Sequence, residues 1–224
     1  MVKQLYNLET ETLSSFIKNS SSDAWNKATN HRFTKELMAD TLSDEVYKKY
    51  LIQDYIFIET LVTVIGKALT LAPSMESKKN WSAFLYAITS DENNYFLRSF
   101  DALDIIKEER ENSSLLPSIQ NFSTLMLDIA NKGSYAELLA IIYAAELVYL
   151  TWASKATKPY PKRFYLSEWI ELHNNSHFKK TVTWIGRELD SVAKDLSIEK
   201  QIIVTDLFNQ LVKLEVSFFD AVYE

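Results

Sequence analysis

Three acidic residues stand where an amphipathic helix should be apolar, and each has an aromatic residue three positions on. Asp54 breaks the stripe Tyr47, Tyr50, Leu51, Ile58, Leu61, Ile65, Leu69. Glu146 breaks Leu138, Leu139, Ile142, Tyr149, Ala153, and Glu215 breaks Val204, Phe208, Leu211, Phe218, Val222. The aromatic partners are Phe57, Tyr149 and Phe218. Residues three apart share a helix face, so each helix is expected to turn one carboxylate and one ring inward. A buried carboxylate is costly unless it is paired, hydrogen-bonded or shifted toward its protonated form. Any one of these acids alone reads equally well as solvent-facing or ion-paired. Three with the same aromatic spacing predict an interior pocket, walled by rings and tipped by acids. Such a pocket suits a flat ligand rich in hydrogen-bond donors, such as an aminopyrimidine.

Other chemistries find less support. The histidines are His31, His173 and His177. His173 and His177 are four apart and could share a helix face. Carboxylate-bridged di-iron bundles use Glu-x-x-His, which does not occur here. A looser di-metal set of Glu59, Glu92, Glu146, His173 and His177 can be assembled on paper and is a minor reading. His31 and His177 read better as helix-end or surface residues. No Ser-His-Asp arrangement is legible from spacing. With 0 Cys there is no disulfide, thiolate nucleophile or cysteine-held metal. The three glycines, Gly66, Gly133 and Gly186, lie too far apart to form a phosphate-cradling loop.

The elements that must position these residues are helices. The 224 residues include only 3 Gly and 4 Pro, where average usage gives roughly 27 of the two together. So few turn residues argue for an all-α chain with short connections, forming one domain over residues 1–224. The first helix carries Leu5, Leu8, Leu13 and Phe16, and Ser20–Ser22 cap a short helix around Trp25. A break is expected near Asn30 to Arg32. A long helix starts at Ser43 and ends before Pro73. Another covers about Lys78 to Thr89, with Ser90, Asp91 and Glu92 capping a continuation to about Glu111. Pro117 opens a helix that stops at Gly133, and Ser134 to Glu137 is a capping box opening an apolar helix to about Ala156. Periodicity resumes at Leu166 and Trp169 after a Pro-rich loop, and two more helices cover about Ser176 to Leu196 and Ile198 to Tyr223.

The net charge of −6, from 24 Lys+Arg against 30 Asp+Glu, disfavours nucleic acid as a partner. The longest apolar run is the eight residues Leu138 to Ala145, against the roughly 20 of a membrane span. No signal or transit segment is visible at the start. The expectation is a soluble protein of the cytoplasm.

Several segments resemble a known family. Tyr50-Leu51-Ile52-Gln53-Asp54-Tyr55-Ile56-Phe57 resembles the Y-L-x-Q-D-Y-x-[YF] signature of the TenA family, also called thiaminase II. His31-Arg32-Phe33, then Leu37 and Thr41-Leu42-Ser43, resembles its H-P-F…L…G-T-L opening, with Asp40 in place of the usual Gly. Trp169 to Phe178 resembles W-I-x-x-Y…F, and Glu215 to Ala221 resembles E-x-x-F-W-x-M-A. The matches are in order and cover nearly the whole chain. The family's catalytic Cys is absent. Tyr143-Ala144-Ala145-Glu146-Leu147-Val148-Tyr149 looks like the W-A-x-E-x-V-Y of the Cys-less branch, TenA_E, with Ala145 at the Cys position.

The resemblance implies a heme-oxygenase-like helical bundle and a thiamin-salvage hydrolase. Its substrate would be 4-amino-5-aminomethyl-2-methylpyrimidine or the N-formyl derivative, its product hydroxymethylpyrimidine, with no cofactor. By that likeness Asp54 hydrogen-bonds the ring amino group and adjacent nitrogen, and Glu215 is the general acid/base. Tyr149, Phe218, Phe57 and Phe122 wall the ring, and His173 replaces a Tyr that touches the ligand. Glu146 is expected to order water or the substrate amine in place of the thiol. A homodimer or homotetramer is implied as well. The alternatives are a di-metal oxidase or oxygenase on the same fold, and a non-catalytic pyrimidine-binding protein. A haem enzyme and a PqqC-type synthase are disfavoured, the first for want of a Gly-rich helix, the second for want of an Arg/His-rich pocket.

Overall fold

The computed structural model describes Tyr6 and residues 11–224. Leu5 and Leu8, placed in the first helix by periodicity, lie outside the described residues. Among those residues the chain is helical, with no strand.

Three long helices form the centre. The first, α4 (Asp44–Leu71), follows three short helices: α1 (Leu13–Ser20), α2 (Ser22–Thr29) and α3 (Arg32–Met38). Ser43 caps α4, its hydroxyl accepting from the Val46 N–H at 3.3 Å. The second is α9 (Tyr135–Ala153), preceded by α5 (Met75–Ala87), α6 (Asn93–Ala102), α7 (Lys107–Glu111) and α8 (Pro117–Lys132). The capping box at its start has both bonds in place: the Ser134 hydroxyl accepts from Glu137 N–H and the Glu137 carboxylate from Ser134 N–H. The third is α12 (Ile198–Ala221), after α10 (Phe164–Leu172) and α11 (Ser176–Ala193). α9 packs on α12, α11 and α4, and α8 lies against both α4 and α12.

Apolar residues surround α9 on nearly every side, with Leu138, Leu139, Ala140, Ile141, Ile142, Ala144 and Val148 fully buried. An all-round apolar helix belongs at the centre of a bundle. Among the described residues α9 is also the one helix long and apolar enough, by length and composition, to cross a membrane; 67% of its apolar window is buried within the fold. The eight-residue run understates it, because Glu146 splits the longer apolar stretch without ending it.

The expected break falls at Asn30 and His31, but α3 follows it at once, a helix of 7 residues, too short for periodicity to reveal, and three further expectations need correction. His31 caps α3, its Nδ1 accepting from Phe33 N–H at 3.1 Å. Ser90, Asp91 and Glu92 do not cap a new helix; Ile88–Glu92 is a π-helical turn that carries α5 directly into α6. The continuation to Glu111 is interrupted after Ala102, where Asp104 takes a φ of 54° before α7 begins. His173 ends α10 and His177 belongs to α11, so the two do not share a helix face.

Asp40, at the position of the resembled glycine, has a φ of 58°. That left-handed conformation favours Gly. Here the Asp40 carboxylate accepts from Arg163 Nε at 2.7 Å and Lys162 N–H at 2.9 Å, which ties the α3–α4 turn to the start of α10.

Candidate active site

The three stripe-breaking acids meet. Asp54 and Phe57 from α4, Glu146 and Tyr149 from α9, and Glu215 and Phe218 from α12 line one interior cavity. Phe122 of α8, Trp169 of α10, His173, Ala145 and Glu92 of the π turn complete its wall. All eight residues singled out from the sequence therefore border the same space. Asp54 and Glu146 are each 6% exposed and Glu215 3%.

The rings stand across from one another. Phe57 and Phe122 have centroids 4.7 Å apart, and Phe218 meets Phe57 edge-on at 5.7 Å. Tyr149 lies 4.8 Å from the His173 ring. Tyr50, behind this wall, has its hydroxyl 2.8 Å from that of Tyr149.

Among the described residues no lysine or arginine lines the cavity. Burial, opposed by the Tyr50 hydroxyl, pushes Asp54 up to about 7. Burial and then the Asp54 charge push Glu146 up to about 8. Glu215 rises well above the ordinary glutamate range by burial and by the charges of Asp54 and Glu146. His173 moves the other way: burial lowers it to about 4, against its bond to the Trp169 carbonyl. Its Nδ1 donates to that carbonyl at 2.9 Å, which leaves Nε2 unprotonated. Near neutral pH the cavity thus mixes protonated acids, which donate, with ionised ones, which accept. That combination is what general acid–base catalysis on one substrate needs.

Two lining groups have a different place from the one the sequence suggests. Glu92, expected as a helix cap or in a di-metal set, is a fourth acid of the pocket, raised well above its usual range by burial and by Asp54 and Glu146. Regular periodicity could not assign it, because the π turn adds a residue and shifts the face that follows. Trp169 read as core, and its buried indole Nε1 has no hydrogen-bond partner. The di-metal set is only partly gathered: Glu92, Glu146 and His173 line the cavity, but Glu59 is exposed and lies outside it, His177 is exposed, and among the described residues no three His, Asp or Glu side chains are placed to hold a metal ion.

A model of the TENA/THI-4/PQQC family matches residues 19–224. Aminopyrimidine aminohydrolase from Halalkalibacterium halodurans is 24% identical over 204 residues, covering 89% of this chain and 90% of that protein. The protein of the same name from Helicobacter pylori is 23% identical over 218 residues, covering 95% and 99%. A TenA homologue from Pyrococcus furiosus superposes with a TM-score of 0.84 at 21% identity, over 94% of this chain and all of that one. A Shewanella denitrificans domain with a heme oxygenase-like fold superposes with a TM-score of 0.60 at 14% identity, over 98% and 93%. The fold expected from the sequence is therefore the fold found.

Proposed function

Since this chain belongs to the TENA/THI-4/PQQC family, we propose that it is a thiamin-salvage hydrolase that converts 4-amino-5-aminomethyl-2-methylpyrimidine, or its N-formyl derivative, to hydroxymethylpyrimidine without a thiol. The observation that carries this reading is the company Glu146 keeps. It adjoins Ala145, the position of the family's cysteine, and lines one cavity with Asp54 and Glu215 in a chain with 0 Cys. The names of the two curated relatives point to the same reaction class.

In this reading the ring lies between Phe57, Phe122, Tyr149 and Phe218, and Asp54 pairs with the ring amino group and adjacent nitrogen. For the free amine, the bond between the exocyclic carbon and nitrogen breaks and the nitrogen leaves with its electron pair. Water oxygen bonds to that carbon and gives up a proton, so the protonated amine and water yield the alcohol and ammonium. Glu146 orders the water and accepts its proton. Glu215 acts as general acid/base toward the departing nitrogen. Burial raises both, Glu146 to about 8 and Glu215 well above the ordinary glutamate range, the direction that lets a carboxyl hold a proton for transfer at neutral pH. A homodimer or homotetramer in the cytoplasm is part of the proposal, the assembly to be read by light scattering.

The test is an LC–MS time course with the aminomethylpyrimidine, its N-formyl derivative and thiamin, without added metal. Hydroxymethylpyrimidine from either of the first two, lost in Glu215→Gln, with little thiamin cleavage, is the expected result. No product from any of them overturns the hydrolase reading. Ligand retained unchanged would then mark a binding protein, and stoichiometric bound iron or manganese an oxidase.

A further inference from the structure

Glu92 differs from the other three acids in where it stands. Asp54, Glu146 and Glu215 are buried within regular helices, whereas Glu92 is half-buried and comes from the π turn. It lines the inner cavity and also a neighbouring cleft between that turn and the start of α11; among the described residues only Ile88 and His173 do the same. It therefore stands between the cavity and the outer cleft. Its carboxylate has no hydrogen bond or ion pair to any described side chain, although Asp54 and Glu146 are close enough for their charges to act on it.

The cavity itself asks for a cation. Four carboxyl groups face it, no lysine or arginine among the described residues does, and His173 is held neutral; burial favours the protonated acids while the cavity is empty, and an entering cation shifts them toward the ionised form. Glu146 and Glu215 line it with no side-chain hydrogen bond of their own, each more than nine-tenths buried, and the buried Trp169 Nε1 is also unpartnered. Unpaired buried polar groups of this kind cost stability unless a ligand satisfies them. An alkylamine is protonated at neutral pH, while an N-formyl amide brings no charge and turns a carbonyl oxygen toward acids.

We propose that Glu92 is the specificity determinant by which this pocket takes a protonated exocyclic amine in preference to the uncharged N-formyl amide at the same carbon. The inference rests on the hydrolase reading above and narrows its substrate. It also accounts for product release, because hydrolysis removes the positive charge and leaves a neutral alcohol that Glu92 no longer holds.

The experiment measures kcat/KM for both pyrimidines with the wild type, Glu92→Gln and Glu92→Asp. Calorimetry in parallel gives Kd for the aminomethyl compound and for the neutral hydroxymethyl compound. In Glu92→Gln the amine-to-amide ratio of kcat/KM should fall about tenfold, and the Kd ratio likewise, as loss of one desolvated charge contact implies. Glu92→Asp, which keeps a carboxyl that a cation can ionise, should retain most of the preference. Equal losses on both substrates, as general damage to the fold would cause, overturn the proposal, and so does an unchanged ratio. Should the wild type turn over neither compound, the hydrolase reading fails. The Kd ratios still decide the charge preference, and equal ratios in wild type and Glu92→Gln refute it.

Discussion

The Tyr50 and Tyr149 hydroxyls stand 2.8 Å apart, so a hydrogen bond joins α4 to α9 at the back of the acidic pocket. Tyr50 also acts on Asp54, holding its carboxyl below where burial alone would set it. Tyr50→Phe removes both effects. It should cost about 1 kcal/mol of stability, the usual worth of a buried hydrogen bond, and raise KM several-fold, because Asp54 loses a group that favours its ionised form. Tyr149→Phe breaks the same bond but leaves Tyr50 beside Asp54, and should raise KM less. Equal KM effects in the two variants, from steady-state kinetics beside thermal unfolding, would show that the action of Tyr50 on Asp54 does not matter to binding.

Glu146→Gln and Glu215→Gln keep shape and hydrogen-bonding atoms but cannot exchange a proton. Each should lower kcat by roughly 100- to 10,000-fold, the range for removing a general acid or base. Neither should lower Tm, since each replaces a buried acid without an ion partner by a neutral group. Full turnover by Glu146→Gln removes it from the mechanism.

The pocket was legible because burial leaves a mark in sequence. An acid inside an apolar stripe is costly, so Asp54, Glu146 and Glu215 announce themselves on α4, α9 and α12, and the spacing to Phe57, Tyr149 and Phe218 sets the ring beside the acid. Long helices with sound caps, such as α4 after Ser43 and α9 after Ser134, were equally readable. What was missed lacks such a signal. The 7-residue α3 is too short to show a period. Glu92 sits where a π turn changes the period, so Ser90, Asp91 and Glu92 look like a cap. The unpartnered Trp169 Nε1 is a tertiary fact that no local pattern encodes.

Stability should fall as the medium becomes alkaline. Asp54 titrates near 7 in the folded chain against an ordinary 3.8, and Glu146 near 8 against 4.5. An acid raised by folding keeps its proton where the unfolded chain releases it. Its contribution is whole below about pH 4 and is lost as pH climbs through 7 to 8. Glu92 and Glu215 are raised as well and act in the same direction. His173, lowered to about 4 from 6.5, acts oppositely: its contribution is whole above about pH 6.5 and is lost as pH falls through 4. The decline between about pH 6.5 and 8 therefore belongs to the acids. Glu146→Gln cannot titrate, so its unfolding free energy should gain on the wild type's as pH rises from 4.5 to about 8, by on the order of a few kcal/mol at the upper end. A constant gap across that range contradicts a raised Glu146.

Ala145→Cys puts a thiol where the sequence resemblance sets the family's nucleophile, and electrostatics argue that it stays idle. A reactive cysteine needs a cationic neighbour or a helix N-terminus to lower its pKa from about 8.5. Ala145 lies in the middle of α9, and the cavity it lines holds Asp54, Glu92, Glu146 and Glu215 with no lysine or arginine. Each ionised acid there disfavours a thiolate, and so does the burial that raises the acids themselves. The introduced thiol should titrate above about 9, and thiamin cleavage by the variant should stay within about tenfold of the wild type's. Because the chain has 0 Cys, alkylation by iodoacetamide as a function of pH reports this one thiol without interference. A midpoint below about 8, with thiamin cleavage rising beside it, would mean that Glu146 and its neighbours bind too few charges at neutral pH to govern the site, and that the missing sulfur alone separates this pocket from a thiaminase.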